Sequence, residues 1–172
     1  MAKPPNKLLC PCHSGVAYTQ CCAPAHEGTA LPESPLALMR SRYSAYAKGN
    51  ATYLHATVTA THADAAIPLA EFRKQIARDA PKQRFTALDV LRSETDNASG
   101  TGWVLFFAKL YYAGREVSFT ELSDFARVEG RWRYAAGILV NGRAVAPGFE
   151  TLAPAALRAW YQERAAAESK SA

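Results

Sequence analysis

From Ala23 to the C-terminus the 172-residue sequence contains no cysteine. That excludes a framework of disulfides spread through the fold, the usual staple of small secreted domains. No apolar stretch approaches the ~20 residues that a membrane-spanning helix needs, so no membrane contact is expected. No glycine-rich loop has the spacing that cradles phosphates. The start, Met1 to Leu9, carries two lysines and two prolines but no apolar run, so no secretory leader is expected and a cytoplasmic setting follows. Charge of one sign is not extreme either. Twenty basic and fifteen acidic side chains give +5, and the excess lies in residues 1–86. That bias leaves a contact with RNA or the ribosome open without arguing for it.

What cysteine there is lies in one place. Cys10, Cys12, Cys21 and Cys22 fall within thirteen residues, as Cys-x-Cys, eight residues, Cys-Cys. A cluster this tight is a metal-ligand pattern, and four thiolates close a tetrahedral zinc site. Cys10 and Cys12 form one jaw and Cys21 and Cys22 the other. Gly15 suits the bend between them, Ser14 can accept a local backbone hydrogen bond, and Tyr18 can cover one side. Three other readings stay open: a Cys3His site using His26, a redox pair, or iron, which four thiolates also suit. A zinc site would lower the net charge to about +3, because the ligands ionise as the metal binds.

After the cluster the pattern changes twice. Ser34-Pro35 reads as an N-cap and first helical residue, with Leu36, Met39, Tyr43 and Tyr46 on one face and Gly49 at the end. Asn50 can cap a short helix through His55. Leu69, Phe72 and Ile76 predict a third helix, stopped by Pro81. Strands follow at Phe85–Glu94 and Trp103–Tyr112, the latter apolar on both faces and therefore central. Ala113-Gly114 turns into a strand from Arg115 to about Phe125, and Glu129-Gly130 turns into Arg131–Ala136. Ile138–Val140 suggests one more strand end. Helices followed by an antiparallel meander define an α+β class. The segment Pro154–Glu168 reads as an alanine-rich helix whose Leu157, Trp160 and Tyr161 face packs on the protein's own sheet. Ser169 to Ala172 reads as a frayed tail.

The run Cys10-Pro11-Cys12-His13-Ser14-Gly15, Tyr18, Cys21-Cys22 resembles the SEC-C zinc motif, best known from the tail of the SecA translocation ATPase. With Pro24, His26, Gly28, Ser34-Pro35, Leu38 to Tyr46 and Tyr53-Leu54, it resembles the bacterial YchJ family. Glu121, Ser123, Phe125 and Gly130-Arg131-Trp132-x-Tyr134-x-x-Gly137 fit the same family. The resemblance spans roughly residues 8–137. It implies a zinc knuckle followed by a nuclear-transport-factor-2-like cone of helices on a curved antiparallel sheet. The corresponding division is 1–30 for the knuckle and linker, 31–150 for the cone and 151–172 for a C-terminal helix and tail. Two departures stand out. Relatives often end in a second SEC-C motif, whereas this tail has no cysteine. Ala136 occupies a position where an acid is common.

No catalytic constellation is evident, and no catalytic residue is assigned. Glu121 lies on an apolar strand face, so Arg40 or Arg42 is expected to pair with it. Together with Tyr43 these residues form either a structural ion pair or a pocket, the pair being the simpler expectation. Two functions follow. One is a zinc-dependent interaction protein with ribosomal or protein-targeting partners, as the SEC-C resemblance implies. The other is a small-molecule binder or enzyme using the cavity of the cone, which rests on fold analogy. Because the cone has its own core, the region from about Ser34 onward is expected to stay folded without the metal.

Overall fold

The structure is a computed structural model that describes residues 9–170. The leader reading of the first eight residues and the end of the tail, Ser171 and Ala172, lie outside the described residues.

The cysteine region is a small hairpin. Leu9 pairs with Ala17 in an antiparallel bridge, and the Cys10 N–H donates to the Val16 carbonyl at 2.8 Å. The tip turns through His13 and Gly15, at φ of 58° and 78°; glycine meets the second without steric cost. A 3-10 turn at Tyr18–Gln20 leads through Cys21 and Cys22 into α1 (Ala23–Glu27).

Helix α2 (Pro35–Lys48) begins where its capping sequence predicts: the Ser34 hydroxyl accepts from the Ala37 N–H at 3.1 Å, and left-handed Gly49 ends it. The single apolar stripe understates its burial. Leu38, Met39, Ser41, Arg42, Tyr43, Ser44 and Ala45 are all buried, because the hairpin, α3 (Ala51–Ala56) and the sheet cover different sides. Its polar residues are satisfied: the Ser41 hydroxyl donates to Leu38 O and receives the Tyr53 hydroxyl at 2.6 Å. Helix α4 (Leu69–Asp79) buries Phe72, and a 3-10 turn at Ala80–Lys82, containing Pro81, follows it.

The sheet is antiparallel throughout. Its main path runs β1 (Gln83–Asp96), β2 (Thr101–Tyr112), β4 (Phe119–Val128), β5 (Arg131–Asn141), and a two-residue β3 (Arg115–Glu116) pairs with the end of β2 alone. Register shifts in β1 and in the β4–β5 pairing are the bulges that bend a sheet. Strand β2 is central and buried on both sides, as its apolar run predicts. Val104, Phe106, Ala108 and Leu110 face the helices, while Trp103 and Leu105 enter a second cluster on the opposite side.

Two strand boundaries differ from the sequence pattern. The expected strand from Arg115 to Phe125 is interrupted at Val117 and Ser118, between β3 and β4, where the Val117 N–H still donates to Leu110 O of β2 at 2.9 Å. The Ser118 carbonyl receives the Gly142 N–H instead, and Val117 is 44% exposed rather than aligned with Glu121. Conversely, Arg131–Ala136 and Ile138–Val140 are one continuous strand, because β4 offers it a full-length partner.

Helix α5 (Pro154–Ser169) covers the back of the sheet, as its apolar face predicts. Leu157 and Tyr161 are buried there, and the Tyr161 hydroxyl donates to Ala144 O at 2.9 Å. Arg158 makes a two-pronged pair with Asp124 at 2.5 and 2.6 Å. Tyr161→Ala should lower unfolding free energy by ~3–5 kcal/mol through ring loss and cavity formation. Arg158→Ala should cost no more than ~1 kcal/mol, because its pair is one-third exposed to solvent (33% and 30%). Urea titration of the two variants checks both values. A larger loss for Arg158→Ala than for Tyr161→Ala would contradict this packing.

Candidate functional site

The hairpin brings the four cysteines to one point. One ligand atom from each of Cys10, Cys12, Cys21 and Cys22 lies within 4.8 Å of the others. Cys12 and Cys21 sulfurs stand 3.5 Å apart, and those of Cys21 and Cys22 stand 3.8 Å apart. A tetrahedral ion with ~2.3 Å bonds to sulfur requires edges of about 3.8 Å, so the residues fit a four-coordinate metal. Cys10, Cys12 and Cys22 are buried and Cys21 is partly exposed. None of the four is in a disulfide.

The electrostatics favour a cation at their centre. Hydrogen bonds from Cys10 and then Cys22 hold the Cys12 thiol well below the usual thiol range. Hydrogen bonding to Cys10 and Cys12 pushes Cys22 far above it, and burial raises Cys21 to about 11. Four thiolates this close repel one another, so a cation is needed for all of them to ionise together.

Polar groups around the cluster orient it. Ser14 Oγ lies 3.2 Å from Cys21 Sγ and also accepts from the Val16 N–H. Cys22 Sγ meets Arg40 O at 3.8 Å, and Cys10 Sγ meets Ser44 Oγ at 3.7 Å. His26, the alternative ligand, is otherwise engaged. Its Nε2 donates to Ser41 O at 2.8 Å, which leaves Nδ1 to accept the Tyr18 hydroxyl at 2.8 Å.

The second site is a cavity of about 180 Å³ between α2 and the concave face of the sheet. Arg42, Tyr43 and Glu121 line it, joined by Tyr46, His62 and Tyr134. Arg40 does not. Two positions along a helix differ by ~200°, so Arg40 points under the hairpin, where its NH1 donates to Cys12 O at 2.8 Å. Among the described residues Glu121 makes no ion pair either, contrary to expectation. Arg42 donates through NH1 to Leu54 O and Thr57 Oγ1, at 2.8 and 2.7 Å, and stacks on the Tyr134 ring. Glu121 Oε1 accepts from Ser123 Oγ and the Tyr134 hydroxyl, at 2.5 and 2.9 Å.

Nothing in the linear sequence connects Tyr134 and Gly137 with Glu121. The β4–β5 register makes the connection: Ser123 lies opposite Gly137, and a Cβ there would collide with both the Tyr134 hydroxyl and the Glu121 carboxylate. His62 packs its ring on Tyr134 and accepts from the Asp64 N–H. The short His62-x-Asp64 spacing is the signal that could have flagged it.

Burial raises the Glu121 carboxyl above its ordinary 4.5, against the hydrogen bonds from Ser123 and Tyr134 and the charge of Arg42. The folded state therefore holds this proton more tightly than the unfolded chain. Its contribution is complete below the unfolded value and is lost as pH rises through the folded one. Glu121→Gln keeps an acceptor for both donors and cannot ionise. Urea midpoints should show this variant at least as stable as wild type at pH 7.5, with a shallower decline above pH 5. A loss of several kcal/mol at pH 7.5, the usual ~3–5 kcal/mol for a broken buried pair, would restore the ion-pair reading.

Comparison with known proteins agrees with this architecture. A family model described as YchJ, middle NTF2-like domain, matches residues 34–137. A UPF0225 protein of Serratia proteamaculans is 34% identical over 148 residues, covering 85% of this chain and 90% of that protein. One from Streptomyces coelicolor is 36% identical over 128 residues, covering 74% and 93%. The solution structure of a SEC-C motif containing protein from Rhodopseudomonas palustris superposes with a TM-score of 0.63 at 33% identity, covering 80% of this chain and 98% of that one. The crystal structure of a second SEC-C motif containing protein, from Psychrobacter arcticus, shares the fold at a TM-score of 0.60 and 19% identity, covering 80% and 84%. With the cysteine hairpin, the helices on a bent antiparallel sheet and these matches together, the chain belongs to the YchJ (UPF0225) family.

Proposed function

We propose that this protein is a zinc-bound protein-interaction module, working in a reducing, cytoplasmic setting on ribosomal or protein-targeting partners. The observation that carries this reading is the closure of the cysteine site. Four sulfurs surround one point and three of the cysteines are buried, so a bound ion has no open position for a substrate. The metal then serves as a scaffold. Zinc suits that role better than iron, because it holds a fixed tetrahedron without redox change. The SEC-C motif of the structural neighbours supports the same choice.

What the scaffold displays supports a polypeptide partner. The hairpin tip from His13 to Val16 is exposed. Beside it a groove of about 600 Å³ runs between α1 and α2, with Pro24, Ala25, Leu31, Pro32 and Ala37 among its lining. Val16 and Leu31 are large apolar side chains exposed at 43% and 52%. Apolar residues beside a rigid, rimmed groove are a common mark of an interaction surface.

Elemental analysis of purified protein should find about one zinc per chain, and Cys21→Ser/Cys22→Ser should abolish it. Iron in place of zinc, or full metal retention in the double variant, would refute the assignment. Co-sedimentation with purified ribosomes tests the partner. Wild type should pellet with them, and Val16→Glu/Leu31→Glu should not, while keeping its zinc. Equal pelleting of the two proteins would remove this surface from the account. Failure of the metal-loaded wild type to pellet would remove the ribosome.

A further inference from the structure

The cavity behind α2 has a composition that the interaction reading does not use. Phe85, Phe106, Phe119 and Phe125 line it, and Phe106 and Phe119 meet edge to face with centroids 6.1 Å apart. Polar groups of Arg42, Glu121 and Tyr134 share this lining, with Glu121 opposite Phe106 in the β2–β4 register. Its volume of about 180 Å³ is slightly larger than an apolar cavity of ~150 Å³ that accepts benzene. One ring with one compact substituent fills it.

The polar groups specify the substituent. Arg42 is only 6% exposed, yet its NH1 bonds go to a carbonyl and a hydroxyl, both neutral. Among the described residues no carboxylate lies within 4 Å of it. The carboxylates facing the cavity are Asp64 and Glu121. Asp64 stands 3.7 Å from the His62 ring, and Glu121 is tied to Ser123 and Tyr134. Burial raises the Glu121 carboxyl above its ordinary range, against the hydrogen bonds from Ser123 and Tyr134 and the charge of Arg42. A buried cation without a close counter-charge is costly, and a planar guanidinium matches a carboxylate.

We propose that this cavity binds a small single-ring carboxylate, with its ring among the phenylalanines and its carboxylate against Arg42. The site goes beyond the interaction reading and does not depend on it. Arg42 supplies charge, the Glu121–Tyr134 pair borders the head group, and the rings set the size limit. A second fused ring exceeds the available volume.

Titration of the zinc-loaded protein, followed by NMR shifts of the Glu121 and Tyr134 amides, tests the proposal with three probes of one ring size: benzoate, benzyl alcohol and benzylamine. Benzoate should bind at least 10-fold more tightly than either other probe, and 2-naphthoate should not bind. Arg42→Met should weaken benzoate at least 10-fold while leaving benzyl alcohol unchanged. Because Arg42 also holds Leu54 and Thr57, Phe119→Trp serves as a second variant. It fills the space among the rings and should abolish benzoate binding without loss of zinc. Equal affinity for the three probes, preference for benzylamine, no shift with 10 mM benzoate, or undiminished binding in Phe119→Trp would each overturn it.

Discussion

The structure depends on the seating of the cysteine hairpin on α2. Arg40 reaches back to the Cys12 carbonyl, while Cys22 Sγ meets the Arg40 carbonyl. His26 donates to Ser41 O and stacks on Tyr53, and Cys10 meets Ser44. These contacts bury polar groups on a helix that would otherwise expose them, and a buried polar group is tolerable only when partnered. The hairpin therefore completes the helix's surroundings. Cys10, Cys12 and Cys22 belong to the same buried cluster as Leu38, Met39 and Tyr43. The SEC-C region is thus continuous with the core of the NTF2-like fold.

Seated in this way, α2 is a shared wall between two sites of different chemistry. Arg40, Ser41 and Ser44 serve the cysteine cluster, while Met39, Arg42 and Tyr46 serve the cavity. Tyr43 belongs to both. Its ring meets His13 of the hairpin at 5.9 Å and Phe85 of the sheet at 5.1 Å, and its hydroxyl donates to Ala87 O. Tyr43 is thus the side chain that touches both the hairpin and the cavity lining. The proposed interaction surface and the proposed ligand site are in this sense two faces of one helix.

The cysteine cluster is legible in the sequence because Cys10, Cys12, Cys21 and Cys22 are close enough along the chain to meet through local turns alone. Helix α2 is legible because Ser34-Pro35 and Gly49 act locally. The cavity network is not, since it depends on a long-range register: Tyr134 reaches Glu121 only because β5 carries a bulge beside Asp124 and lacks a side chain at Gly137. The pairing of Arg40 with Glu121 fails for a related reason. Both arginines look equivalent in a linear pattern, but the hairpin recruits one of them and leaves the other to the cavity. The break after β3 is hidden because Val117 fits an alternating strand as well as Phe119 does.

The contacts between them predict that the cysteine hairpin and α2 form one cooperative unit. Hydrogen exchange of the protein with and without chelator measures this directly. The amides of residues 40–46 in α2 should lose at least ~10-fold protection, about 1.4 kcal/mol, when the metal is removed, while those of Val104 to Ala108 in β2 keep theirs. Unchanged protection of α2 in the chelated protein would contradict the claim and leave the hairpin as an independent appendage.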